Sequence, residues 1–270
     1  MPDWGISNAS ACQVETLYQG ITSGSAGSYG SWVEVGTPTG PLNGFSIRDV
    51  YQATTSPETN QKFVDIAIGE SGSQVSVISN LAFPQTAFET NRSQIQHEIN
   101  IPIALPAGQK IWMRSKCSGA SRVLYFYLRG LSLDPTVCYA GADSLLESEL
   151  YSASNNWANS GVVAAAAKRY RGLLIGFRKS LSQTSGFPGK VALKMKRGAV
   201  GSEQEFFYWN SVTKAYVTET GLKNSVFSPA YIGPIAVDIP EGERFYFQGN
   251  YTRDSGSGDN YFTLSVHGFW

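Results

Sequence analysis

Apolar and polar side chains alternate over two widely separated stretches of the chain. In the first, Ile101, Ile103 and Leu105 lead into Pro106-Ala107-Gly108, and alternation resumes at Ile111 and Met113. In the second, Ile235, Val237 and Ile239 lead into Pro240-Glu241-Gly242, and alternation resumes at Phe245 and Phe247. A period of two residues is that of a β-strand with one face buried. Proline presets φ for a turn and glycine supplies the permissive position, so each stretch predicts a strand, a turn and a second strand arranged as a hairpin. The two phrases lie roughly 134 residues apart in a chain of 270.

The correspondence extends in both directions. A polar loop and a closing strand follow each phrase, 124–131 in the first copy and 261–269 in the second, with Gly130 matching Gly268. Upstream, Val64, Ile66 and Ile68 correspond to Val191, Leu193 and Met195; 44–50 resembles 172–178, 28–36 resembles 156–164, and Cys12 matches Cys138. The pattern predicts an internal duplication into domains 1–134 and 135–270. They join at Asp134-Pro135, where proline restricts the preceding residue and limits a hinge. Each unit reads as roughly seven or eight short strands separated by Gly, Ser, Pro and Asn clusters, with no βαβ pattern. The expected fold class is all-β: two tandem antiparallel β-sandwiches of jelly-roll-like form. Two segments are ambiguous. "ADSLLESELY" (142–151) reads as a short helix with Asp143 near its start. "VVAAAAKRYR" (162–171) has helical propensity but reads as a strand, because its counterpart "WVEVGTPTGP" cannot be helical.

Composition sharpens this reading. Charged residues make up 16% of the chain and aromatic residues 13%, with 28 glycines, which favours half-buried pleated surfaces. The formal net charge is zero, so nothing global argues for nucleic acid or an anionic membrane as partner. Cys12, Cys117 and Cys138 form no C-x-x-C pair, and free buried thiols in a reducing compartment are expected. The start "MPDWGISNAS" has neither a basic region nor an apolar run, and no stretch reaches the ~20 apolar residues of a membrane span. Synthesis in a cytoplasm is the expectation, with the sequons at Asn8, Asn91 and Asn250 unused.

Candidate chemistry is sparse. His97 and His267 occupy non-equivalent positions in the two units and are expected to be structural or at the surface. No nucleophile elbow, phosphate loop or dinucleotide fingerprint occurs. Glu34 and Asp65 could form a glycosidase pair, though nothing in the sequence selects them. Asp254 and Asp259 lie in a polar loop that reads as a solvated hairpin, or as a calcium loop. No catalytic residue, metal or cofactor is expected. The outward positions of the aromatic strands, Tyr125 or Tyr127, Tyr208 and Tyr246, suit core packing, a subunit interface or stacking on sugar. Lys190, Lys194 and Lys196 share one face of a strand, either as an edge guarded against aggregation or as a basic surface for an acidic partner.

The phrases "FVDIAIGESGSQVSVISNL" (63–81) and "INIPIALPAGQKIWMRS" (99–115) resemble a recurrent pattern in structural proteins of tailed bacteriophages. There a strand ending in Gly, a Gly and Ser turn, a second strand and an "IPAG" hairpin build a jelly-roll-like domain. The second unit keeps "IPEG" but not "DIAIG". The resemblance implies a non-enzymatic virion component, either a capsid decoration or head-fibre protein or a tail or collar accessory. Its partners would be other virion proteins and further copies of itself. A carbohydrate-binding module for host-surface glycans is the alternative, and the two meet in a host-recognition appendage.

Overall fold

The computed structural model describes residues 16–38, 40–53, 62–83, 97–117, 121, 123–131, 139–152, 158–164, 169–179, 189–199, 201–217, 223–226, 230–232, 244–253 and 260–270. Every regular element among them is a strand. The first eight are β1 (Thr16–Thr22), β2 (Val33–Gly36), β3 (Gly44–Ala53), β4 (Lys62–Ile68), β5 (Val75–Phe83), β6 (His97–Ile101), β7 (Ile111–Cys117) and β8 (Val123–Leu131). They form two four-stranded antiparallel sheets, ordered β1-β8-β3-β6 and β2-β7-β4-β5. Consecutive strands thus pass between sheets except at β4-β5, and the last strand returns beside the first. This is the eight-stranded jelly roll.

The remaining strands are β9 (Ala142–Ser152), β10 (Ala158–Ala164), β11 (Gly172–Lys179), β12 (Gly189–Arg197), β13 (Gln204–Val217), β14 (Lys223–Val226), β15 (Ala230–Ile232), β16 (Arg244–Arg253) and β17 (Asn260–Phe269). Their sheets are β15-β11-β17-β9 and β10-β16-β12-β13-β14. With β14 set aside as an addition, the order is that of the first half, strand for strand. The stretches matched in sequence fall on matching strands: 63–69 and 190–196 on β4 and β12, 44–50 and 172–178 on β3 and β11.

Alternation built these layers. In the first half Phe45, Ile47 and Ile101 from one sheet meet Val64, Ile66 and Met113 from the other, all fully buried. In the second, Leu173, Ile175 and Val266 of one sheet and Leu193, Met195 and Phe247 of the other are buried in the same way. Each such side chain contributes ~1.5–3 kcal/mol when removed from water. Gly268 is required by packing: a Cβ there would lie 2.5 Å from the ring of Tyr170 and 2.9 Å from Leu145.

The halves share a core. Tyr139, Leu174 and Phe269 belong to the same apolar cluster as the first half's Phe45, Leu81 and Ile103. Ile103 and Tyr139 form a parallel bridge, with Ala104 N–H donating to Tyr139 O and Tyr139 N–H to Pro102 O. β5, which has no strand neighbour on its far side among the described residues, packs against β9, β17 and β11. There the Ala82 amide donates to the Ser265 hydroxyl at 3.0 Å, in a buried setting.

Three expectations are corrected. Residues 142–151 are strand, not helix: Leu145 is the extra residue of a bulge, so Leu145 and Leu146 both enter the core. Pro106-Ala107-Gly108 is a turn, with Gln109 N–H bonded to Pro106 O and Gly108 at φ 76°, but it is not a hairpin. Among the described residues β6 pairs only with β3, whereas β7 pairs with β2 and β4, so the turn is a corner that carries the chain from one sheet to the other. The third is the guarded edge: β12 lies between β16 and β13, in the middle of its sheet. Residues 118–120, 132–138 and 233–243 lie outside the described residues, and with them Cys138, the Asp134-Pro135 join and the Pro240-Glu241-Gly242 turn; so do Cys12 and Asn8.

Candidate functional site

The sheet β10-β16-β12-β13-β14 turns a polar and aromatic face outward. Because Leu193 and Met195 point into the core, Lys194 and Lys196 of β12 point away from it. Cross-strand register places Lys194 between Gln248 and Tyr208, and Lys196 between Tyr246 and Glu205. Four residues singled out in the sequence, Lys194, Lys196, Tyr208 and Tyr246, therefore come together on one face. Tyr208 is 50% exposed, a large share for a tyrosine in a sheet. Lys194 Nζ pairs with Glu205 Oε2 at 3.2 Å and lies 6.0 Å from the Tyr208 ring centroid. At this exposure the ion pair contributes ~0–1 kcal/mol. A bulge at Phe206 places its ring 5.5 Å from the Arg197 guanidinium. The Tyr246 hydroxyl is buried without a partner among the described residues. The turn beyond β12 is held by Gly201 N–H donating to Glu203 Oε1 at 2.8 Å, which keeps that carboxyl below its ordinary pKa.

The other sequence candidates do not join this face. Tyr125 and Tyr127 stand in β8, opposite Gly20 and Tyr18, and Lys190 stands near the start of β12, but their side chains lie outside the described residues. Asp254 and Asp259 lie outside them altogether. Among the described residues no three His, Cys, Asp or Glu side chains cluster to hold a metal ion. Cys117 is buried and takes part in no disulfide.

The matching face of the first half, on β2-β7-β4-β5, was not singled out in the sequence. Its centre is Arg114, whose guanidinium lies 4.6 Å from the Tyr29 ring and 4.5 Å from the Trp32 ring. Arg114 Nη2 and Nε reach Asp65 Oδ2 at 2.7 and 2.8 Å. Asp65 is 2% exposed, and its second oxygen accepts the Asn80 amide at 2.6 Å. Asn80 sits in a bulge of β5 at φ 57°, a conformation asparagine tolerates better than most residues, and this turns its N–H toward the carboxylate. Asn80 Oδ1 in turn accepts from the Tyr29 hydroxyl and from Lys116, whose Nζ lies 4.5 Å from the Phe63 ring. Further along, Lys110 bridges Glu34 at 3.3 Å and Glu70 at 3.7 Å; Glu34 chiefly raises its pKa. Trp112 Nε1 donates to Gly69 O at 2.7 Å. Glu34 and Asp65, weighed as a catalytic pair, are thus each committed to a different cation. The charges of this face are answered from within, which makes it a brace rather than an open site. Its signal in the sequence was "IWMRSK", where Trp112, Arg114 and Lys116 alternate with core residues.

No protein-family model matches the chain, and no curated protein does. Solved structures do. The STIV MCP is 10% identical over 94% of this chain and 97% of its own, with a TM-score of 0.41. A peptide-N(4)-(N-acetyl-beta-D-glucosaminyl) asparagine amidase is 8% identical over 93% and 96%, with a TM-score of 0.42. The tandem CBM22-1-CBM22-2 domain of Paenibacillus barcinonensis Xyn10C is 9% identical over 98% and 93%, with a TM-score of 0.26. Likenesses at these scores carry no functional argument, and the assignment of the fold rests on the strand order itself.

Proposed function

We propose that the chain is a non-enzymatic structural component of a viral particle, acting through protein–protein assembly. The observation that carries this reading is two jelly rolls joined through one apolar cluster, to which the second half lends Tyr139, Leu174 and Phe269; paired sandwiches of this kind suit a building block. The likeness of 63–81 and 99–115 to phage structural proteins narrows the proposal to a bacteriophage virion, as capsid decoration, head fibre or tail accessory, made in the host cytoplasm. On this reading domains 1–134 and 135–270 arose by internal duplication, and the chain assembles with other virion proteins and with copies of itself. Antibodies raised against the chain should label gradient-purified particles, and light scattering of the isolated protein should give a closed oligomer. Absence from particles sinks the proposal.

A second reading, recognition of a host-surface glycan, is favoured by one observation: the half-exposed Tyr208 ring with Lys194 beside it on β12 and Gln248 one strand further on β16, an aromatic platform on the same face as hydrogen-bonding groups. A glycan array separates the readings. Binding that is lost in Tyr208→Ala supports this one, and no binding at high micromolar concentration removes it.

A further inference from the structure

His267 stands at the joint between the halves. Register places it opposite Leu174 in β11 and Ser144 in β9, on the face shared by Ser265 and Phe269. That face receives β5. Ser265 holds the Ala82 amide, and Gly176 approaches the Ala82 backbone so closely that a Cβ would lie 2.6 Å from its carbonyl oxygen. His267 is 0% exposed, and neither ring nitrogen has a hydrogen-bond partner among the described residues.

We propose that His267 is a proton-operated latch: in weak acid its imidazole takes up a proton and the face of β9, β17 and β11 releases β5, so that the two jelly rolls part while each stays folded. The cause is local. An imidazolium adds a full charge and a second N–H donor to a fully buried ring whose nitrogens have no hydrogen-bond partner among the described residues. β5 carries no ionisable side chain, and β17 carries only Tyr261 besides. On β9, Asp143 stands opposite Gly268, on the other face, and accepts from the Tyr170 hydroxyl at 2.7 Å. Glu147, opposite Ser265, is the nearest carboxylate by register, with Glu149 beyond it opposite Thr263. On β11 the charges are Arg178 and Lys179 at the far end, and Arg171 just before its start; Tyr231 of β15 lies opposite Leu174. β16, with Arg244 and Arg253 at its ends, approaches from inside the sandwich. Tyr139 packs at a tilt against Phe269 and donates its hydroxyl to Arg171 O.

Burial lowers the pKa of His267 from 6.5 to about 4. In the parted state the ring meets water and its ordinary value returns. Above pH 6.5 both states are neutral and the joint is at full strength. As pH falls from 6.5 through 4, the parted state takes up protons first and the closed state loses ground. With these two values the closed-to-parted ratio drops ~30-fold by pH 5 and ~150-fold by pH 4.

The test is hydrogen exchange on the full chain between pH 7 and 4, corrected for intrinsic rates. The Ala82 amide reports the joint; the amides of Ile47 in β3 and Leu193 in β12 report the two sandwiches. Ala82 protection should fall ~30-fold by pH 5 while the other two hold, and the fall should vanish in His267→Phe or, should that variant fail to fold, in His267→Gln. A flat Ala82 profile in the natural chain, an unchanged fall in the variants, or a fall shared by all three amides each overturns the latch.

Discussion

Gly176→Ala tests the joint from the other side. An added Cβ would lie 2.4 Å from Ser265 Oγ, 2.6 Å from Ala82 O and 3.1 Å from Ala82 N. The Ser265 hydroxyl can rotate away, but the Ala82 carbonyl is backbone and moves only if β5 moves. On an unhindered strand the substitution would stabilise by ~0.4–1 kcal/mol through a stiffer unfolded chain. Here two costs oppose that gain. Overpacking costs ~1–3 kcal/mol. Displacing Ser265 strands a buried amide, worth ~1–3 kcal/mol more. The net expectation is a loss of about 1–5.5 kcal/mol, read as a lower urea midpoint at unchanged slope. Ser265→Ala in the same chain should recover part of it, since it removes one of the two clashes, and the double mutant should be non-additive. A Gly176→Ala protein as stable as the natural one would refute the close approach of β5 to β11, and with it the shared core.

Arg114→Ala should cost ~2–4 kcal/mol in urea unfolding, because it strips the cation from a buried Asp65 carboxylate and two aromatic faces of their partner; Arg114→Lys should recover little, having no planar fork to stack. Tyr208→Ala should leave the unfolding midpoint within ~0.5 kcal/mol of the natural chain while changing oligomer mass or glycan binding. The Cys117 thiol, at 0% exposure, should react with a thiol reagent only at the rate of unfolding; fast reaction in the native protein would contradict its placement in the first core.

Much of the fold was legible because alternation survives wherever a strand is regular. β4 and β12 were readable from Val64, Ile66 and Ile68 and from Val191, Leu193 and Met195, and so was their equivalence. What misled was the bulge. An extra residue at Leu145 breaks the period of two and puts two leucines side by side, which imitates a helical pattern. The bulge at Asn80 hides the Asp65 brace in the same way, since the amide that holds the carboxylate comes from a residue out of phase with its strand. Neighbourhood was the other blind spot. "PAG" specifies a turn by local chemistry, but which sheet receives each strand is settled by the core, so corner and hairpin read alike. The three lysines of β12 look like an edge for the same reason. Alternation did place Lys194, Lys196, Tyr208 and Tyr246 outward, yet it held no sign that they would share one face.

The two halves differ most where their shared plan leaves an edge. In each, the strand after the fourth closes one sheet, and an open strand edge invites pairing with another chain. In the second half β14 extends the sheet, pairing with β13 over Lys214–Val217. In the first half no strand among the described residues covers β5; the second half does, with the apolar and hydroxyl surface of Leu174, Ser265 and His267. Protection of β5 is therefore lent by the partner half and does not belong to its own sandwich. A joint that serves as an edge cover cannot loosen silently: parting the halves bares both a strand edge and the apolar patch that met it. In a building block this couples the internal joint to assembly, because the surface bared on opening is one that a neighbouring molecule could pair with.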